Sequence, residues 1–197
     1  ETPLAASALL QAAEAFIRAN DLVSAENCLR RTIEQRQNSP LAEQAMLRLA
    51  GLLATWNRVQ EAVTLFGDTL AVTTNAAIRL DALLGRGYAG YRMYRFDAAL
   101  QDFTAAAMSP LATSGEPQYW QIMSLYSLAR DDEAYALAEK LIVDFPAAER
   151  LPDTILWLAK YDYNRGRLNT ARERFLLYAT RWPQSAWSDT ALLWAGR

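Results

Sequence analysis

The chain has no histidine, a single cysteine (Cys28) and only two lysines (Lys140 and Lys160) among its 197 residues. Without histidine there is no Ser-His-Asp triad, no Cys-His dyad, no histidine-ligated zinc and no imidazole general base. One cysteine excludes an intrachain disulfide and any two-cysteine metal knuckle. No apolar run reaches the roughly 18–20 residues that cross a bilayer. The opening Glu1-Thr2-Pro3 lacks the basic start of a secretory leader, which leaves the compartment open. With 20 basic and 22 acidic residues, the balance carries no nucleic-acid footprint. No cofactor or metal is expected.

What is present is apolar: 52% of residues are hydrophobic, far from the composition of disordered chains. The apolar residues repeat. In five places a polar turn leads into an alanine, usually with a bulky residue four positions on. They read Ala25 with Leu29, Ala62 with Phe66, Ala99 with Phe103, Ala134 with the weaker Ala138, and Ala171 with Phe175. The alanines are separated by 37, 37, 35 and 37 residues. Each unit ends on a loop signal: Asn38-Ser39-Pro40, Thr73-Thr74-Asn75, Ser109-Pro110, Phe145-Pro146 and Trp182-Pro183.

Between these signals the spacing is helical. Leu9, Ala13, Phe16 and Ile17 share a face, as do Met46, Leu49, Ala50 and Leu53, and Ile155, Leu158 and Ala159. No run of alternating β-branched residues argues for a strand. The fold class predicted is all-α, with paired helices that bury their apolar faces only by stacking on the next pair.

These units resemble tetratricopeptide repeats, whose pattern is W-x₂-L-G-x₂-Y, then A-x₃-F, then P. Leu49, Ala50, Leu53, Ala62 and Phe66 follow it in the second unit, and Gly87, Ala99, Phe103 and Ala106 in the third. The fourth keeps Ala134 and Pro146; the fifth matches through Leu158, Ala159, Ala171, Phe175, Tyr178 and Pro183. The period is longer than the usual repeat of about 34 residues. The resemblance implies a right-handed α-solenoid of about five antiparallel helix pairs plus a terminal helix. It covers residues 1–197 as a single array, with repeats near 3–38, 39–74, 75–110, 115–146 and 151–183 and a terminal helix in 185–197. That last segment reads as a capping helix or as the first helix of a further unit.

In such repeats the first helix of each pair lines a concave groove. Counted from the alanines, its groove positions here include Tyr88 and Tyr91, then Tyr119, Trp120, Met123 and Tyr126, then Trp157, Lys160 and Tyr163. Trp120, Trp157 and Trp194 stand 37 residues apart and occupy one equivalent position. They form either an aromatic ladder that grips a partner or packing between repeats. The Lys/Asn/Arg clamp that captures C-terminal carboxylates in this family is absent: its positions hold Leu10, Glu14, Arg48, Asp81 and Gly85.

Other features have plainer readings. Asp131-Asp132-Glu133 suits the positive end of a helix dipole rather than a cation. Gly85-Arg86-Gly87 lacks a nucleotide fingerprint's spacing and is expected to be close packing or a loosened helix. Cys28 reads as a small buried hydrophobe. Arg165, Arg167, Arg172, Arg174 and Arg181 read as a solvated face, open to an acidic partner.

The expected function is a non-catalytic scaffold that binds a protein or peptide through the aromatic groove. Polysaccharide-binding or enzyme-accessory modules and a regulatory fragment of a larger envelope protein are the alternatives. Residues 145–148 and 182–194 are similar to repeat boundaries of bacterial cell-envelope members, of the Tol-Pal coordination and outer-membrane assembly lipoprotein type. That resemblance implies a periplasmic or envelope-associated protein, with a cytoplasmic one as the alternative.

Overall fold

The structure, a computed structural model, describes residues 3–37 and 39–196. Glu1, Thr2, Asn38 and Arg197, which the sequence reading placed at boundaries, lie outside the described residues. Among the described residues every regular element is a helix. Five pairs follow the alanine register: α1 (Pro3–Arg18) with α2 (Leu22–Gln35), α3 (Pro40–Thr55) with α4 (Val59–Val72), and α5 (Ala76–Arg92) with α6 (Phe96–Ala107). Then come α7 (Glu116–Ser127) with α8 (Asp131–Asp144) and α9 (Leu151–Asn164) with α10 (Leu168–Arg181), and α11 (Ser188–Ala195) packs on α10. The helices form two compact units, Glu1–Leu111 holding α1–α6 and Ala112–Arg197 holding α7–α11.

Three of the helices, α2, α3 and α5, begin on a capping side chain. Asp21, Ser39 and Asn75 accept hydrogen bonds from the backbone N–H groups of Ser24, Ala42 and Ala77 at 3.1, 3.2 and 2.9 Å, and Pro40 supplies a fixed φ at the first position of α3. Asp131, Asp132 and Glu133 occupy the first turn of α8, as their reading against the helix dipole requires.

The turn inside each pair is one structure used five times. Asn20, Asn57, Tyr94, Ala129 and Gly166 all take a left-handed backbone, with φ of 58°, 61°, 59°, 56° and 72°. Each stands five residues before its alanine. The next N–H, from Asp21, Arg58, Arg95, Arg130 or Arg167, donates to the carbonyl five residues back at 2.9 Å. This is the Schellman ending, which satisfies carbonyls a helix end would otherwise leave open. Asn and Gly adopt it readily, whereas Tyr94 and Ala129 do so at a cost of roughly 1–2 kcal/mol.

The register residues are the core. Ala25, Ala62, Ala99, Ala134 and Ala171 are at most 1% exposed, and Leu29, Phe66, Phe103, Ala138 and Phe175 at most 3%. Small size is required in the facing helix too. A Cβ on Gly85 would stand 2.3 Å from the Phe66 ring, and one on Gly87 2.7 Å from Phe103. The Gly85-Arg86-Gly87 motif is therefore close packing. Between its glycines Arg86 forks onto the buried Asp102 carboxylate, at 2.9 Å from Nε and 2.6 Å from Nη2, and ties α5 to α6.

Candidate functional site

The predicted groove residues fall on α5 in the first unit and on α7, α9 and α11 in the second. Two register positions matter. Tyr91, Tyr126 and Tyr163 stand eight residues before their alanines, while Trp120 and Trp157 stand fourteen before, with Trp194 one repeat further. In the second unit the two positions meet. Tyr126 approaches Trp157 edge-on with centroids 5.5 Å apart, and Tyr163 approaches Trp194 edge-on at 4.7 Å. The three tryptophans are half-buried, and Tyr126 is 47% exposed.

Neighbours that the groove positions do not include hold these rings from behind. Tyr161 stacks on Trp157 at 5.4 Å and leans on Tyr135 of α8 at 5.3 Å. Phe175 of α10 stacks beneath Trp194 at 6.1 Å. Tyr161 follows Trp157 by four residues, a helical spacing that marks it as a neighbour in the sequence; Tyr135 and Phe175 come from other helices and carry no such signal.

Cations decorate the same helices. The Arg150 guanidinium lies 5.8 Å from the centre of the Tyr119 ring, and the exposed Lys160 ammonium lies 5.1 Å from that of Trp187, itself 53% exposed. Trp120 packs against Tyr119 at 5.5 Å, and Met123 is half-buried. In the first unit Tyr88 rests on Phe103 at 5.4 Å and Tyr91 on Phe96 at 5.0 Å, so both lean toward the second helix of their own pair.

The arginine cluster is the solvated face its sequence suggests except at Arg174, and exposed members of it are tied to neighbouring elements. Arg174, with a side chain 13% exposed, pairs with the fully buried Asp162 and with Glu139, and also donates to the Tyr135 hydroxyl at 3.1 Å. The Arg167 Nε lies 2.7 Å from Asp162 Oδ1, and its guanidinium covers Tyr135 at 4.5 Å. Arg165 pairs with Asp131 at 3.2 Å, and Arg181 donates to the Pro146 carbonyl at 2.6 Å. Burial pushes the Asp162 carboxyl upward, while Arg167 and Tyr135 draw it down. These arginines hold α8, α9 and α10 together. Arg165, Arg167, Arg172 and Arg181 remain exposed and fit the solvated reading; Arg174 does not.

Among the described residues no three His, Cys, Asp or Glu side chains converge for a metal, and no helix is long and apolar enough to cross a membrane. Cys28 is a free, half-buried thiol packed against the core of the first unit.

Residues 1–77 match the family model of a tetratricopeptide repeat-like domain. No curated protein matches the sequence. Solved structures are similar to it in fold. A tetratricopeptide repeat protein from Parabacteroides merdae superposes with a TM-score of 0.78 at 18% identity, over 98% of this chain and 74% of that one. Its fold is the tetratricopeptide repeat. MamA from Desulfovibrio magneticus, solved from its residue 41 to the end, gives a TM-score of 0.77 at 15% identity, over 92% of this chain and 97% of that one. YrrB, described as a tetratricopeptide repeat protein with an unusual peptide-binding site, gives 0.64 at 17% identity, over 83% of this chain and 79% of YrrB.

Proposed function

We propose that this repeat protein is a non-catalytic scaffold that binds a protein or peptide along the first-helix surface of its second unit. Tyr126, Trp157, Tyr163 and Trp194 form the contact core, with Tyr119, Trp120, Met123 and Lys160 beside them; Tyr88 and Tyr91 are the corresponding positions of the first unit. The observation that carries this reading is the Tyr–Trp pair made twice, at 5.5 and 4.7 Å, with its tryptophans backed by Tyr161 and Phe175 and only half-buried. Rings fixed from behind lose little freedom on binding, which is why tyrosine and tryptophan dominate binding hot spots. Lys160 adds an exposed cation, and YrrB, a protein of similar fold described as having an unusual peptide-binding site, supports a peptide partner. A periplasmic or envelope setting is the compartment the 145–148 and 182–194 phrases favour.

The test is selection from a random twelve-residue peptide library, with a glycan array run in parallel. A selected peptide is expected to lose about tenfold or more in affinity on Tyr126→Ala, with helix content unchanged. Binding to glycans and to no peptide overturns the proposal in favour of a polysaccharide module.

A further inference from the structure

We propose that the cleft between α2, α3 and α4 of the first unit is a binding site for a basic side chain, specifically an arginine presented by a partner peptide. The cleft holds about 320 Å³, between the apolar Ile33, Ala42, Met46 and Val72 and the polar Ser39 and Glu43. Its occupant is indicated by the chain's own repeats.

Shifted by one 37-residue step, Ala42 becomes Arg79 and Ile33 becomes Leu70. There the exposed Arg79 side chain extends across the surface, and its Nη1 lies 3.5 Å from the Leu70 carbonyl oxygen. In the fifth repeat the same register position is Leu151, whose side chain is buried. The register position therefore carries a longer aliphatic stem in two other repeats, buried in Leu151 and laid along the surface in Arg79. Ala42 ends at a methyl beside the cleft, where the other two repeats carry a longer side chain.

Charge selects among aliphatic stems. Glu43 faces the cleft, and its Oε2 accepts a hydrogen bond from Thr73 Oγ1 at 2.6 Å. Among the described residues no cation stands within ion-pair distance of it. A guanidinium on a methylene stem satisfies both halves of the cleft: the stem covers Ile33, Met46 and Val72, and the head meets the Glu43 carboxylate.

This proposal rests on the reading of the chain as a protein-binding scaffold but on none of its aromatic residues. The test is methyl NMR on the whole protein, following the Ile33 and Met46 methyls while N-acetyl-arginine amide is added. Saturable shifts are expected, weakened about tenfold by Glu43→Gln. They are expected to vanish in Ala42→Arg, which places a guanidinium and its stem at the cleft, and in Ala42→Leu, patterned on the buried Leu151. N-acetyl-norleucine amide, an aliphatic stem without charge, is the control. No saturable shift, equal shifts from the norleucine control, or undiminished binding by a folded Ala42 variant overturns the proposal. Tyr126→Ala leaves these shifts in place, so the two readings fail separately.

Discussion

The edge of the Tyr163 ring meets the Trp194 indole at 4.7 Å, and one repeat earlier Tyr126 meets Trp157 in the same way at 5.5 Å. Each pair joins the end of one first helix to the next first helix, so it is at once packing between repeats and surface. Aromatic pairs of this geometry contribute about 0.5–1.5 kcal/mol beyond the area they bury. A double-mutant cycle on Tyr126→Ala and Trp157→Ala, followed by urea unfolding, is expected to show a coupling in that range. A coupling indistinguishable from zero would mean the rings touch without stabilising each other.

The turn residues separate backbone cost from packing. An added Cβ on Gly166 meets nothing within 4 Å, yet its φ is 72°. Gly166→Ala is therefore expected to destabilise by roughly 1 kcal/mol through the backbone alone. Ala129→Gly, at φ 56°, is expected to stabilise by a similar amount. Thermal unfolding of both variants measures the two signs, and two shifts of the same sign would refute the account.

How much of this was legible beforehand differs by level. The alanines at 25, 62, 99, 134 and 171 announce the helix pairs because a backbone-to-backbone approach tolerates only small residues, and that constraint recurs at each step. The left-handed turns were half visible: Asn20, Asn57 and Gly166 are residue types that favour the conformation, but Tyr94 and Ala129 adopt it because their place in the repeat demands it. The tryptophan and tyrosine series were each visible as spacing. That one packs on the other depends on the distance between neighbouring helices, which no local pattern encodes. Arg174 escaped the sequence for the same reason. Asp162 looks like a polar helix end until α8 and α10 close over it.

Overpacking tests the register directly. Ala62 is fully buried between paired helices, and Ala62→Leu is expected to cost roughly 1–3 kcal/mol. Gly87→Ala is expected to fall in the same range, because its methyl would sit 2.7 Å from the fully buried Phe103 ring. The second case is the sharper one, since in an unconstrained helix interior that change stabilises by about 1 kcal/mol. A raised melting temperature for Gly87→Ala would show that Phe103 can move aside.

Breaking the buried ion cluster is expected to cost more. Arg174→Met leaves Arg167 as the one cation paired with the buried Asp162, and loss of one partner from a buried pair costs about 3–5 kcal/mol. Added salt is expected to leave the difference between wild type and variant nearly unchanged, because water and ions do not reach Asp162. A small, salt-sensitive difference in denaturant unfolding would place the pair in solvent instead.

Acid is expected to weaken the fold through carboxylates that the native state holds charged. The Ser24 hydrogen bonds at the start of α2 hold Asp21 below the ordinary carboxylate value, and Arg58 and Arg130 do the same for Glu61 and Glu133. For each, the unfolded chain binds the proton more readily than the folded one. Their contribution is therefore complete above the unfolded values, near 3.8 for Asp21 and 4.5 for the glutamates, and is lost as pH falls through the folded ones. Asp81 and Asp162 run the other way: burial raises both, so what they contribute is present at low pH and lost as pH rises through their folded values. A single-site comparison removes that opposing background. Asp21→Asn keeps a capping oxygen but cannot titrate. The stability advantage of wild type over Asp21→Asn is expected to shrink steadily below about pH 4. A difference that stays constant down to about pH 2 would show that the Asp21 charge contributes nothing to the cap.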